Sequence, residues 1–141
     1  MPLDQAEATR LLNATLGLVT YVAPTTPMKA RLCSTTGTPT AAGTELVNSG
    51  GSTYAAQPLS TSTVLPAANA VAGSIANSGT APTITFSNLP AVASPGIVSV
   101  EIIDSAGTPR RSMYGALTVA KIVALGDSVA FAASQLVLTM A

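Results

Sequence analysis

The sequence predicts a mainly β protein: an antiparallel β-sandwich or barrel-like domain with one short N-terminal α-helix. Three observations carry this expectation. Helical spacing of apolar residues is confined to residues 4–17. After Gly17 the chain turns to Thr, Ser, Val, Gly and Pro, in short alternating runs. Turn residues separate those runs at regular intervals, the pattern of a closed or layered all-β domain. The 141 residues contain no linker, so a single domain over 1–141 is expected, with the helix at about 4–17 and the β part at about 18–141.

The helix is defined at both ends. Asp4 is an N-cap, and Glu7, three residues on, completes a capping box. Ala8, Leu11, Leu12, Thr15 and Leu16 recur near helical spacing, and Gly17 is the stop. The apolar stripe is expected to pack on the domain's own sheet, with a neighbouring subunit as the alternative.

The strands follow in order. Leu18–Ala23 is a short strand or connector closed by Pro24 and Pro27. Met28–Ser34 alternates, with Met28, Ala30 and Leu32 on one face and Lys29, Arg31 and Cys33 on the other. Thr35–Ala42 is a loop, Asn48-Ser49-Gly50-Gly51 a turn, and Thr53–Leu59 a strand. Ser60–Ala72 is a loop or irregular edge. Ser74–Asn77 is a short strand ending at a second Asn-Ser-Gly, residues 77–79. Pro82–Phe86 alternates and Pro90 ends it. Ile97–Asp104 is a central strand, turned by Asp104-Ser105-Ala106-Gly107. Arg110–Leu117 returns antiparallel. Lys121–Leu125 and Ser128–Ala132 form a second hairpin across Gly126-Asp127, and Leu136–Met140 is the last strand.

Composition narrows the function. Only 9% of residues are charged, and six basic residues balance six acidic ones. Such a surface tends to associate. Aromatics are 4%, and the apolar 48% leans on Ala and Val, which bury little area each. Part of the stability is therefore expected from neighbouring subunits. Nucleic-acid binding is not expected, because the basic doublet Arg110-Arg111 stands without a wider cluster. The start Met1-Pro2-Leu3-Asp4 is unlike a signal peptide, and no apolar run is long enough for a membrane helix. Folding in a reducing cytoplasm is the expectation. Cys33 lacks a partner thiol and reads as a buried small hydrophobe.

The chain has no histidine. Gly126-Asp127-Ser128 resembles the opening of a lipase and esterase motif, but Val129 stands where that motif has Leu. A nucleophilic serine also needs a base, so a turn is the better reading. Asp4 and Glu7 are accounted for by capping, and Asp104 and Asp127 by turns. Glu45 and Glu101 lack a local role, and nothing in the sequence places them together. Glu101 reads as a solvated residue or a cross-hairpin partner of Arg110 or Arg111. No catalytic residue, cofactor site or metal site is expected: one thiol and scattered carboxylates do not make a ligand set. Asn13-Ala14-Thr15 matches a glycosylation acceptor by chance, inside the helix. Arg110, Arg111, Met113 and Tyr114 form the most interface-like cluster, and Leu11 and Leu12 of the helix stripe join them as candidate contact residues.

The C-terminal half resembles a family of small phage virion proteins often labelled phage tail fibre protein, common in phages of actinobacteria. The residues that carry it are Val98–Asp104, Ser105-Ala106-Gly107, Tyr114-Gly115-Ala116-Leu117-Thr118, Lys121, Gly126–Ala133 and Leu136-Val137-Leu138-Thr139. Leu16-Gly17 at the end of the helix, Tyr21–Met28 leading into the first main strand, and Gly50-Gly51 before Tyr54 fit the same pattern. Ser134-Gln135 departs from it, standing where a Gly-Asp-like turn is usual. The resemblance implies a non-enzymatic virion component. Short length and the absence of heptads or repeats point to a capsid decoration protein on the outside of the head. Its expected partners are the major capsid protein and itself, as a homo-oligomer such as a trimer. A tail fibre or minor tail protein is the alternative. A carbohydrate-binding attachment module is a further one, disfavoured by the scarcity of aromatics for sugar stacking.

Overall fold

The computed structural model describes residues 1–59, 74–76, 84–132 and 134–139. Within them the chain runs α1 (Gln5–Thr15), β1 (Lys29–Cys33), β2 (Gln57–Pro58), β3 (Ser74–Ala76), β4 (Ile84–Phe86), β5 (Val92–Ile103), β6 (Arg111–Val123), β7 (Val129–Phe131) and β8 (Val137–Thr139). Every strand pair is antiparallel. A four-stranded sheet of order β2-β1-β5-β6 is joined by two ribbons, β3-β8 and β4-β7. This is the mainly β class, with one N-terminal helix, that the sequence predicts. Among the described residues, no helix is long and apolar enough to cross a membrane.

The hairpin β5–β6 is the spine, and Asp104 shapes its turn. The Asp104 carboxylate accepts hydrogen bonds from the N–H groups of Arg110 (2.7 Å), Ala106 (3.2 Å) and Thr25 (3.1 Å). Register then sorts the side chains by parity. Leu32 faces Val100 and Ala30 faces Ile102 across β1–β5. These four join Phe86, Leu89, Ile97, Leu59 and Leu138 in one apolar core. Phe86 sits at its centre, fully buried, stacked near Tyr54 and edge-on to Phe131. The opposite parity, Arg31, Cys33, Ser99 and Glu101, faces away from that core. Cys33, Ser99 and Glu101 are buried too and Arg31 partly so, under residues 34–45 of the following loop.

Several elements differ from the sequence reading. The central strand starts earlier, at Val92. The segments around Arg110–Leu117 and Lys121–Leu125 are one strand, β6, which bulges. Between the pairs Ser99↔Ala116 and Ile97↔Lys121, β6 carries four residues where β5 carries one. Leu117–Ala120 therefore stand off the ladder. The second hairpin does not form. The turn at Gly126 is real, with φ +89° and the Asp127 carboxylate accepting from the N–H of Ala124 at 2.8 Å. It sends β7 to pair with β4 rather than back along β6. Local turn chemistry sets a change of direction but not the strand that receives it. Thr53–Leu59 contributes only Gln57–Pro58, and Leu18–Ala23 is a connector. The expectations for Ser60–Ala72 and for the turn at 77–79 fall outside the described residues.

The helix corrects two further expectations. Asp4 caps it, accepting from the N–H of Ala6 at 2.8 Å. Glu7 completes no capping box, because the Asp4 N–H donates instead to the carbonyl of Ser112 (2.9 Å). The stripe does not pack on the domain's own sheet: Glu7 is the buried residue of α1, while Leu12 and Leu16 are 58% and 62% exposed.

Candidate functional site

Two features stand out, a pair of linked buried ion clusters and the apolar surface those clusters display. The first cluster centres on Glu101, which is fully buried. Arg31, directly opposite it on β1, donates to Oε2 from Nη2 (2.6 Å) and Nε (3.0 Å). Arg111 donates to Oε1 from Nη1 (2.8 Å), and the Gly43 N–H adds 2.7 Å to the same oxygen. Arg31 also reaches Glu45 Oε2 at 3.2 Å, so the two acids that lacked a local role share one guanidinium. Arg111 in turn holds Asp4 Oδ2 from Nη2 and Nε, at 2.6 and 2.9 Å. The loop closes tightly over this group. A Cβ at Gly37 would collide with Arg111 Nη1 and Glu101 Oε1, so any side chain there would force the ion cluster to shift.

The second cluster fixes the arm formed by α1 and residues 16–23. Arg110 grips Glu7 with two bonds, Nε to Oε2 at 2.7 Å and Nη2 to Oε1 at 2.6 Å. Tyr21 donates its hydroxyl to Glu7 Oε1 (2.6 Å), Arg10 adds 3.1 Å, and Arg110 Nη1 takes the carbonyl of Val22 (2.8 Å). Burial alone would raise the Glu7 carboxyl, but the hydrogen bonds from Arg110 and Tyr21 outweigh it and hold the group below the ordinary value. Glu101 behaves likewise: burial pushes it up, and Gly43, Arg31 and Arg111 bring it below the ordinary value. Burial drives the Cys33 thiol the other way, up to about 12, reinforced by the nearby Glu101 charge.

The candidate contact residues thus divide. Arg110, Arg111 and Met113 lie inside the fold, the two arginines as internal fasteners of the N-terminal segment. Tyr114 is half-buried, with the Arg111 guanidinium 4.7 Å over its ring. Leu11 is half-buried, whereas Leu12 is open to solvent. The reading of Glu101 as an Arg111 partner across the hairpin holds; the solvated alternative does not. Sequence reasoning missed the buried pairing of Glu7 with Arg110 and Tyr21, the role of Arg31, and the exposed run Leu18, Val19 and Val22, which are 68%, 54% and 71% exposed. A signal was present for the last: an uncharged apolar stretch running on past the helix stop.

A groove of about 460 Å3 opens beside the β6 bulge, lined by Leu117, Val119, Lys121, Phe131 and Val137 among others. Among the described residues, no three His, Cys, Asp or Glu side chains gather to hold a metal ion.

Residues 3–139 match the family model described as podophage GP4 fiber I protein gp80, or Gp80. The chain belongs to this family. Gp80 membership makes it a phage fibre-type structural protein and so a virion component, as the sequence resemblance implied. No curated protein matches it. The residues matched to Gp80 include those of the capped arm, both ion clusters and all of the groove lining but Met1.

Proposed function

We propose that the chain is a non-catalytic structural subunit of a phage tail fibre. The observation that carries this reading is the Gp80 match over residues 3–139, whose description names a fibre. The chemistry of the chain supports it. Glu7 and Glu101 are saturated by arginine, and Asp104 and Asp127 are committed to turns. What the molecule presents outward is instead apolar area on the arm and around β6, the material of subunit contacts. That description favours the fibre over capsid decoration, the main expectation from the sequence.

Immunogold labelling of intact virions, with densitometry of virion proteins on gels, tests the proposal. Gold at the tail and a few to tens of copies per particle are expected. Gold spread over the head, with hundreds of copies comparable to the capsid protein, overturns the tail location in favour of capsid decoration.

A further inference from the structure

The arm has an unusual construction. Its inward contacts are polar, through Glu7, Tyr21 and the carbonyl of Val22, all held by Arg110. Its apolar side chains Leu12, Leu16, Leu18, Val19 and Val22 are all more than half exposed. Together they leave on the order of 500 Å2 of apolar surface open within eleven consecutive residues. No charged residue occurs between Arg10 and Lys29, so the covering surface must itself be apolar and nearly uncharged.

The chain carries such a surface elsewhere. The groove beside the β6 bulge is concave and apolar, with Val119 (64% exposed) and Val137 (43% exposed) on its rim. Its charges are both positive: Lys121 and the Met1 ammonium, which donates to the Val137 carbonyl at 3.5 Å. They have a counterpart on the arm. The helix has no basic residue in its last turn, so its terminal carbonyls are capped by backbone N–H groups alone and no side-chain charge offsets the negative end of its dipole. No residue of the arm lines the groove of its own chain. Arg110 pins it at the start of β6, and Val119 lies roughly 20 Å further along that strand. Pro2 and Asp4 occupy the intervening edge, bonding Tyr114 and Ser112.

We propose that the arm of one copy docks, head to tail, into the β6 groove of a second copy of this chain. The leucine and valine side chains of the arm fill the groove, and Lys121 of the groove faces the helix C-terminus. The arm patch alone falls short of the roughly 800 Å2 per partner that stable association buries, and the groove rim with the Ala- and Thr-rich surface around it supplies the rest. Because the two surfaces differ, the contact is heterologous and propagates into a ring or a filament. The proposal deepens the fibre reading by naming the partner of its exposed surface.

Sedimentation velocity on the purified full-length chain tests it, without virions, so it stands or falls separately from the tail location. Wild type is expected to form species larger than a dimer. An arm variant (Leu16→Asp with Val19→Asp) and a groove variant (Val119→Asp) are each expected to weaken self-association by at least about tenfold, with circular dichroism and melting confirming that both fold. Mixed in equal amounts, the two variants are expected to regain a dimer and nothing larger, since each retains one intact half of the contact. A mixture that stays monomeric overturns the head-to-tail pairing. So does wild type that stays monomeric until another virion protein is added, which would assign the arm to that protein.

Discussion

Arg110 and Glu7 meet across 103 positions of sequence in a two-pronged ion pair, with bonds of 2.6 and 2.7 Å. Glu7 is 3% exposed and Arg110 16% exposed at the side chain, so water screens the pair little. The bond joins the first element of the chain to the turn of its longest hairpin.

Replacing Glu7 tests how far the arm depends on that bond. Glu7→Ala is expected to lower stability to urea by about 3 kcal/mol, the usual consequence of leaving one buried charge without its partner. Amide exchange across residues 5–22 should accelerate ahead of the core strands. Unchanged exchange in the arm would show that other contacts hold it.

The Glu101 cluster separates buried from exposed pairing within one network. Glu101→Gln leaves Arg31 and Arg111 facing a neutral amide in a closed site and should lose about 3–5 kcal/mol. Glu45→Gln should lose less than about 1 kcal/mol, because Glu45 is 35% exposed and Arg31 keeps Glu101. Paired denaturation curves decide, and equal losses for the two variants would mean that burial does not rank these bonds.

Acid should unfold the protein from a plateau. Glu7 and Glu101 titrate below 4.5 in the fold, and Asp104 below 3.8, in each case because donated hydrogen bonds outweigh burial. A carboxyl lowered in the folded state adds stability in full above its ordinary value and loses it as pH falls through the folded value. Melting temperature should therefore stay level above about pH 5 and drop steadily below about pH 4.5. With no histidine in the chain, no step is expected near pH 6.5. A flat profile down to about pH 3 would contradict the assignment.

How much of this was open to sequence reasoning depends on distance along the chain. Asp4 and Gly17 bound the helix with neighbours a few residues away, and both are legible. The Asp104 turn is legible for the same reason. Arg110 and Arg111 look like an exposed basic doublet because their partners, Glu7 and Asp4, lie more than a hundred residues upstream. The buried charge of Glu101 is hidden likewise: alternation shows two faces of β5 but not that a loop covers the second. Gly126-Asp127 misleads most, since β7 passes its local neighbour and pairs with β4.

Phe86 tests the core that both ribbons share. It is fully buried between Tyr54 and Phe131. Phe86→Ala should lose about 3–5 kcal/mol and loosen β7, whose pairing with β4 runs through Phe86↔Val129. Denaturation with amide exchange at Val129–Phe131 reads both effects, and a loss under about 1 kcal/mol would place the centre of packing elsewhere.

The sheltered thiol of Cys33 matters most after the particle leaves its host. A virion drifts in aerated surroundings, where accessible sulfhydryls oxidise or couple to neighbours at random. With its one thiol fully buried and its ionisation suppressed, this chain offers oxygen almost no thiolate to attack. Accidental covalent coupling through Cys33 is thus closed to this chain, whatever surface lies against it.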